Sequence, residues 1–117
     1  MEKQKNSDIE IAVKFEGVPA ELLPDFEFEF YSEWHQTPNV VICSKTGNEL
    51  VNCVVVEPPL EQRPPGWGTV VRCILENHNF KPGRLCVKAH IKWPDPSYKD
   101  GVRNDVYREK LDLVITK

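Results

Sequence analysis

Three groups of side chains in this 117-residue chain have types and spacings that could do chemistry. Glu27, Glu29 and Glu33 stand on odd positions of one alternating segment, so a strand sets their carboxylates on a single face. Two carboxylates held across a cleft supply the acid and base of glycoside hydrolysis. The solvated side of a half-buried strand has the same pattern, and Phe26, Phe28 and Phe30 between them favour that reading. The loop from Asp95 to Asp105 gathers Asp95, Asp100, Asp105 and Asn104, ligand types suited to calcium. Lys99 stands where a ligand is needed and no bidentate Glu follows at the required distance, so turn-forming Asp and Gly explain it better.

His35, His78 and His90 are scattered, and none lies at zinc-ligand spacing from a Cys or another His. His78, inside Asn77-His78-Asn79, reads as a hydrogen-bonding turn residue rather than a proton shuttle. Cys43, Cys53, Cys73 and Cys86 lie within apolar runs, where a free thiol packs like a small hydrophobe. The sequence contains no Gly-rich phosphate loop, nucleophile elbow or CxxC motif. A non-enzymatic protein is expected, with no catalytic residue, no cofactor and no metal.

The aromatic residues point to binding instead. Trp67 lies between Gly66 and Gly68, after a stretch from Glu57 to Gly66 whose four prolines make a stiff connection that cannot be a central strand. Trp67 is either exposed or folded back as a plug. With Pro64 and Pro65 it is the candidate protein interface, because aromatic anchors dominate interfaces. Trp34 and Trp93 run in phase with apolar neighbours and are expected in the core. If several of the Trp residues, Tyr31 and Tyr98 were exposed together they would stack on sugar rings, which makes a carbohydrate-binding or host-adhesion module the alternative.

Strands must position all of these groups. Asp8 to Glu16 alternates almost without error, placing Ile9, Ile11, Val13 and Phe15 on one face, and Phe26 to Trp34 does the same with its aromatics. Further strands are expected at Val40 to Ser44, Leu50 to Val56, Thr69 to Leu75, Arg84 to Trp93 and Val106 to Thr116, with a long polar loop from Pro94 to Asp105. A tight turn at Thr46-Gly47-Asn48 would pair the third and fourth strands as a hairpin and bring Cys43 near Cys53. Pro19 to Leu23 is the only helical candidate, one turn at most. The expected fold is an all-β antiparallel sandwich of about seven strands, with residues 1–7 a flexible arm and 8–117 one domain.

Bulk properties narrow the partners. A net charge of −3 lacks the broad positive field that drives nucleic-acid binding, so no nucleic-acid partner is expected. No apolar run approaches the ~18 residues of a membrane span, and no membrane partner is expected. The polar start, Met1 to Ser7, has no signal-peptide core, which implies synthesis in a reducing cytoplasm.

Three segments carry a resemblance: Asp8-Ile9-Glu10-Ile11, the stretch from Leu75-Glu76-Asn77-His78-Asn79-Phe80 to Leu85, and Tyr98-Lys99-Asp100-Gly101 through Val106. Together they resemble domains of Bacteroides phages and prophages that are themselves similar to the N-terminal adaptor domain of the phage baseplate upper protein. The resemblance implies an immunoglobulin-like sandwich in the virion, non-enzymatic, anchoring a fibre or tail appendage. Its partners would be other virion proteins, with a homo-oligomer expected. The Pro-rich insertion from Pro58 to Pro65 departs from that pattern.

Overall fold

Phe26, Phe28 and Phe30 are fully or almost fully buried, and the two sheets close around them. Phe26 stacks on Phe28 with ring centroids 4.8 Å apart, and Phe15 reaches across to Phe26 at 5.7 Å with Trp93 edge-on to it at 6.3 Å. Offset and edge contacts of this kind add to the area that the rings bury. The computed structural model describes residues 2–4, 7–33, 35–57, 60–65, 67–76 and 78–116, and within those ranges every side chain except those at 4, 35–39 and 60. Trp34 and the side chain of His35, both singled out in the sequence, lie outside the described residues, as do Pro58, Pro59, Gly66 and Asn77.

The described residues form a β-sandwich of nine strands: β1 (Glu2–Gln4), β2 (Ile9–Phe15), β3 (Asp25–Ser32), β4 (His35–Thr46), β5 (Glu49–Val51), β6 (Cys53–Val56), β7 (Thr69–Leu75), β8 (Gly83–Pro94) and β9 (Val102–Thr116). A large sheet runs β1-β9-β8-β3-β4-β5 and a small one β2-β7-β6. All neighbours are antiparallel except β1 and β9, which are parallel. Lettered from β2 as B to β9 as G, this is the strand order of a variable-type immunoglobulin sandwich. Among the described residues the outer strand A is missing from beside B, and β1 is attached to G instead.

Nine strands replace the expected seven for two reasons. Glu2–Gln4, within the segment expected to be a flexible arm, adds to the large sheet, and Thr116 Oγ1 donates to Lys3 O at 3.2 Å across that pairing. The expected strand from Leu50 to Val56 is broken at Asn52. Gly47, with φ of 60°, closes the β4–β5 hairpin as expected, but the chain then leaves the large sheet, and Cys53 pairs with Cys73 on β7. The long polar loop also proves shorter than expected, because β9 starts at Val102.

Asn52 makes this crossing possible. It is the described non-glycine residue with positive φ, 54°, a region where Asn is tolerated and β-branched residues are not. Its Nδ2 donates to Ile42 O on β4 at 2.9 Å and its carbonyl accepts from Ile74 N on β7 at 2.8 Å, so one residue is bonded to both sheets. Asn52→Gly should keep the bend and lose only the side-chain bond, costing about 1 kcal/mol. Asn52→Val adds backbone strain and should cost about 1–3 kcal/mol more. Urea unfolding midpoints measure both, and equal midpoints for the two variants would contradict the role of the bend.

Candidate functional site

The Pro-rich connection is anchored through Glu57. Its Oε1 accepts from Ala20 N at 2.8 Å and lies 3.3 Å from Thr69 Oγ1, and its Oε2 meets Arg63 Nη2 at 3.2 Å. The Thr69 hydroxyl donates to Val18 O at 2.6 Å and Thr69 N donates to the same carbonyl at 3.1 Å. The loops before β3 and before β7 are thus tied to each other through one carboxylate. Arg63 in turn covers Trp67, its guanidinium carbon 4.5 Å from the ring centroid. Such stacking suits the planar, weakly hydrated guanidinium.

Of the two placements open to Trp67, the structure adopts the folded-back one: the ring is half-buried beneath Arg63, while Pro64 and Pro65 are exposed beside it. Gly68 is required next to it, since a Cβ there would lie 2.2 Å from Phe15 O. Glu57→Gln removes the charge but keeps the shape. It should lower stability by about 1–2 kcal/mol and loosen Arg63 from Trp67, read as a lower unfolding midpoint and a change in Trp fluorescence.

The other residues singled out earlier take structural roles. Glu27 is exposed on the outer face of the large sheet, and Glu33 Oε2 lies 3.6 Å from Lys110 Nζ. Asp95 and Asp100 accept from Ser97 N and Val102 N at 3.0 and 3.3 Å, so these carboxylates close the β8–β9 turn. His78 is buried, stacks on Phe80 at 4.5 Å and donates from Nε2 to Ser7 O at 2.6 Å, leaving Nδ1 to accept from Phe80 N. It is a hydrogen-bonding turn residue. Among the described residues no group of His, Cys, Asp or Glu is arranged to hold a metal ion.

A surface missed in the sequence lies beside β2. No strand among the described residues pairs with its other side, so a row of backbone donors and acceptors faces outward there. β9 extends over this vacant place. Its register against β8 sets Tyr107 opposite Ala89 and Glu109 opposite Val87, on the inner face of the large sheet. That face is nevertheless exposed at Tyr107 and Glu109, and Ile11 and Val13 are only half-buried. Between them is an open cleft of about 250 Å³, walled by Phe28, Phe30, Val87, Ala89 and Leu111. Alternation in the sequence shows which side chains face inward but not which strand is left at an edge. The run Arg103, Asp105, Tyr107, Glu109, polar where Leu111, Leu113 and Ile115 continue as apolar, was the available signal.

The four cysteines are buried free thiols, as their apolar surroundings lead one to expect. Cys53 stands opposite Cys73 in the β6–β7 ladder rather than opposite Cys43 in a hairpin, and its Sγ donates to the carbonyl of Ser44, next to Cys43, at 3.4 Å. The Cys73 thiol, donating to Cys43 and buried, is pushed far above the usual thiol range, while that same hydrogen bond draws Cys43 down. Burial also raises Cys53, Cys86 and Tyr107. A group with a raised folded pKa contributes stability that is complete below its unfolded value and lost above it. Stability should therefore fall as pH rises past about 8.5, the unfolded thiol value, through the raised thiols of Cys53, Cys73 and Cys86. Urea midpoints that stay level up to about pH 10 would contradict this thiol environment.

Comparison with protein-family models, with curated proteins and with solved structures finds no match. Among the described residues no helix is long and apolar enough to cross a membrane.

Proposed function

We propose that this chain is a non-enzymatic structural or adaptor protein of a phage particle, made in the host cytoplasm, that anchors a fibre or tail appendage through protein contacts. One observation carries the reading. The vacant place beside β2 combines an unpaired strand edge with an apolar cleft, and β9 roofs it. An extended strand from a neighbouring virion protein, or from a second copy, would complete the small sheet there. Main-chain hydrogen bonds would supply affinity, and every second side chain would enter the cleft. The sequence resemblance to the baseplate adaptor domain supports the phage setting.

At the opposite border of the sandwich, Ile42 and Val51 are 41% and 42% exposed on the outer face of the large sheet, and Val54 and Val56 are 44% and 39% exposed on the outer face of the small one.

Light scattering over a dilution series tests the reading. Wild type should form a discrete species above 13.5 kDa that persists on dilution. Val13→Lys, which places an ammonium group in the cleft, should return it to monomer with its circular dichroism intact. A wild type that is monomeric throughout would remove self-assembly, and glycan binding by that monomer would favour the carbohydrate-binding alternative.

A further inference from the structure

β9 has a free edge of its own. It pairs with β8 along one side, but on the other side β1 covers only Val114, Ile115 and Thr116. Among the described residues no strand pairs with that side from Val102 to Leu113. Two apolar side chains are exposed on this stretch, Val106 on the outer face at 56% and Tyr107 on the inner face at 45%. A long unpaired edge of this kind is a template for another strand.

The charges along the edge match themselves. Antiparallel pairing with a second copy obeys a two-fold axis, so the residue at the centre fixes every partner. Centred on Val106, it sets Arg103 opposite Glu109 twice, Asp105 opposite Tyr107, Asn104 opposite Arg108 and Val102 opposite Lys110, and no like charges meet. A centre one residue away brings carboxylates together: Asp105 meets Asp105 of the other copy if the centre is Asp105, and Glu109 if it is Tyr107. Within one protomer Arg103 lies 3.7 Å from Asp105 Oδ2, and its Nε has no hydrogen-bond partner among the described residues. No ion pair among the described residues holds Glu109.

We propose that the protein forms a two-fold dimer in which β9 pairs antiparallel with β9 of a second copy, centred on Val106, so that the two large sheets become one continuous sheet. Main-chain hydrogen bonds supply affinity, and the two Arg103–Glu109 pairs select the register. β1 is clear of the paired stretch, which runs from Val102 to Lys110. This contact is distinct from the place beside β2, which it leaves open to a strand of another chain. Val13 and Glu109 wall the same cleft, so the ammonium group of Val13→Lys would also draw Glu109 away from Arg103 of the second copy.

The test measures solution mass by sedimentation equilibrium for Arg103→Glu and Glu109→Arg, each alone and mixed. Wild type should be a dimer, twice the 13.5 kDa of the chain. Each variant alone sets like charges opposite each other and should weaken the dimer about tenfold or more. An equimolar mixture should recover it, because one copy then brings carboxylates and the other guanidinium groups to the paired positions. Val106→Cys, exposed and at the centre, should cross-link to its own copy under mild oxidation. A wild-type dimer unchanged in both charge variants would overturn this contact and leave assembly beside β2 standing. A mixture that stays monomeric would overturn the register, and a wild type that is monomeric throughout would overturn the dimer. Failure of Val106→Cys to cross-link would overturn it even if the charge variants do not fold.

Discussion

The structure depends on a mismatch in width: six strands must be covered by three. A sheet with one apolar face is stable only where that face is buried, so the small sheet sits over the part of the large one that carries the aromatic residues. Phe26, Phe28 and Phe30 on β3, with Leu85, Val87, Ala89 and Ile91 on β8, receive that cover. The margins of the large sheet do not. On one side the chain bridges the gap itself, bending at Asn52 so that a single run of residues serves both layers. On the other side nothing among the described residues crosses, and β9 projects past β2 with Tyr107 and Glu109 on its inner face. The cleft, the unpaired edge and the early switch to polar residues along β9 are consequences of the same shortage of strands.

The alternating segments made the core legible in the sequence. Ile9 and Phe15, Phe26 to Phe30, and Leu85 to Ile91 all face inward as their period requires, because a strand allows side chains only two directions. The break at Asn52 was not legible, since Leu50 to Val56 is apolar enough to read as one strand and a single αL residue leaves little mark on such a pattern. The pairing of Glu2–Gln4 with β9 was hidden for a different reason: three polar residues at a sheet margin need backbone partners, not an apolar face. Trp67 was found by composition, but the Arg63 that covers it is separated from it by three residues and was not. Which strand is left without a neighbour is a property of topology, and no local feature of β2 announces it.

The residues that first invited catalysis are held by other duties. Asp95 and Asp100 are occupied by backbone amides, His78 by Ser7 and Phe80, and Glu57, which sequence analysis passed over, carries the densest set of hydrogen bonds to its neighbours. Buried carboxylates and imidazoles with every partner satisfied rigidify a fold. Among the described residues the outer side of β2 is one place where backbone bonding capacity is left unused.

The parallel pairing of β1 with β9 has a mechanical consequence. Glu2 lies beside Val114 and Gln4 beside Thr116, so the chain runs the same way through both strands. Tension applied between the ends of the domain pulls β1 backward along its axis and β9 forward. The interstrand bonds are then loaded in shear, all at once, and must fail together, whereas an antiparallel hairpin pulled at its open end would unzip bond by bond. A domain built this way resists stretching through its terminal strands before any force reaches the aromatic core.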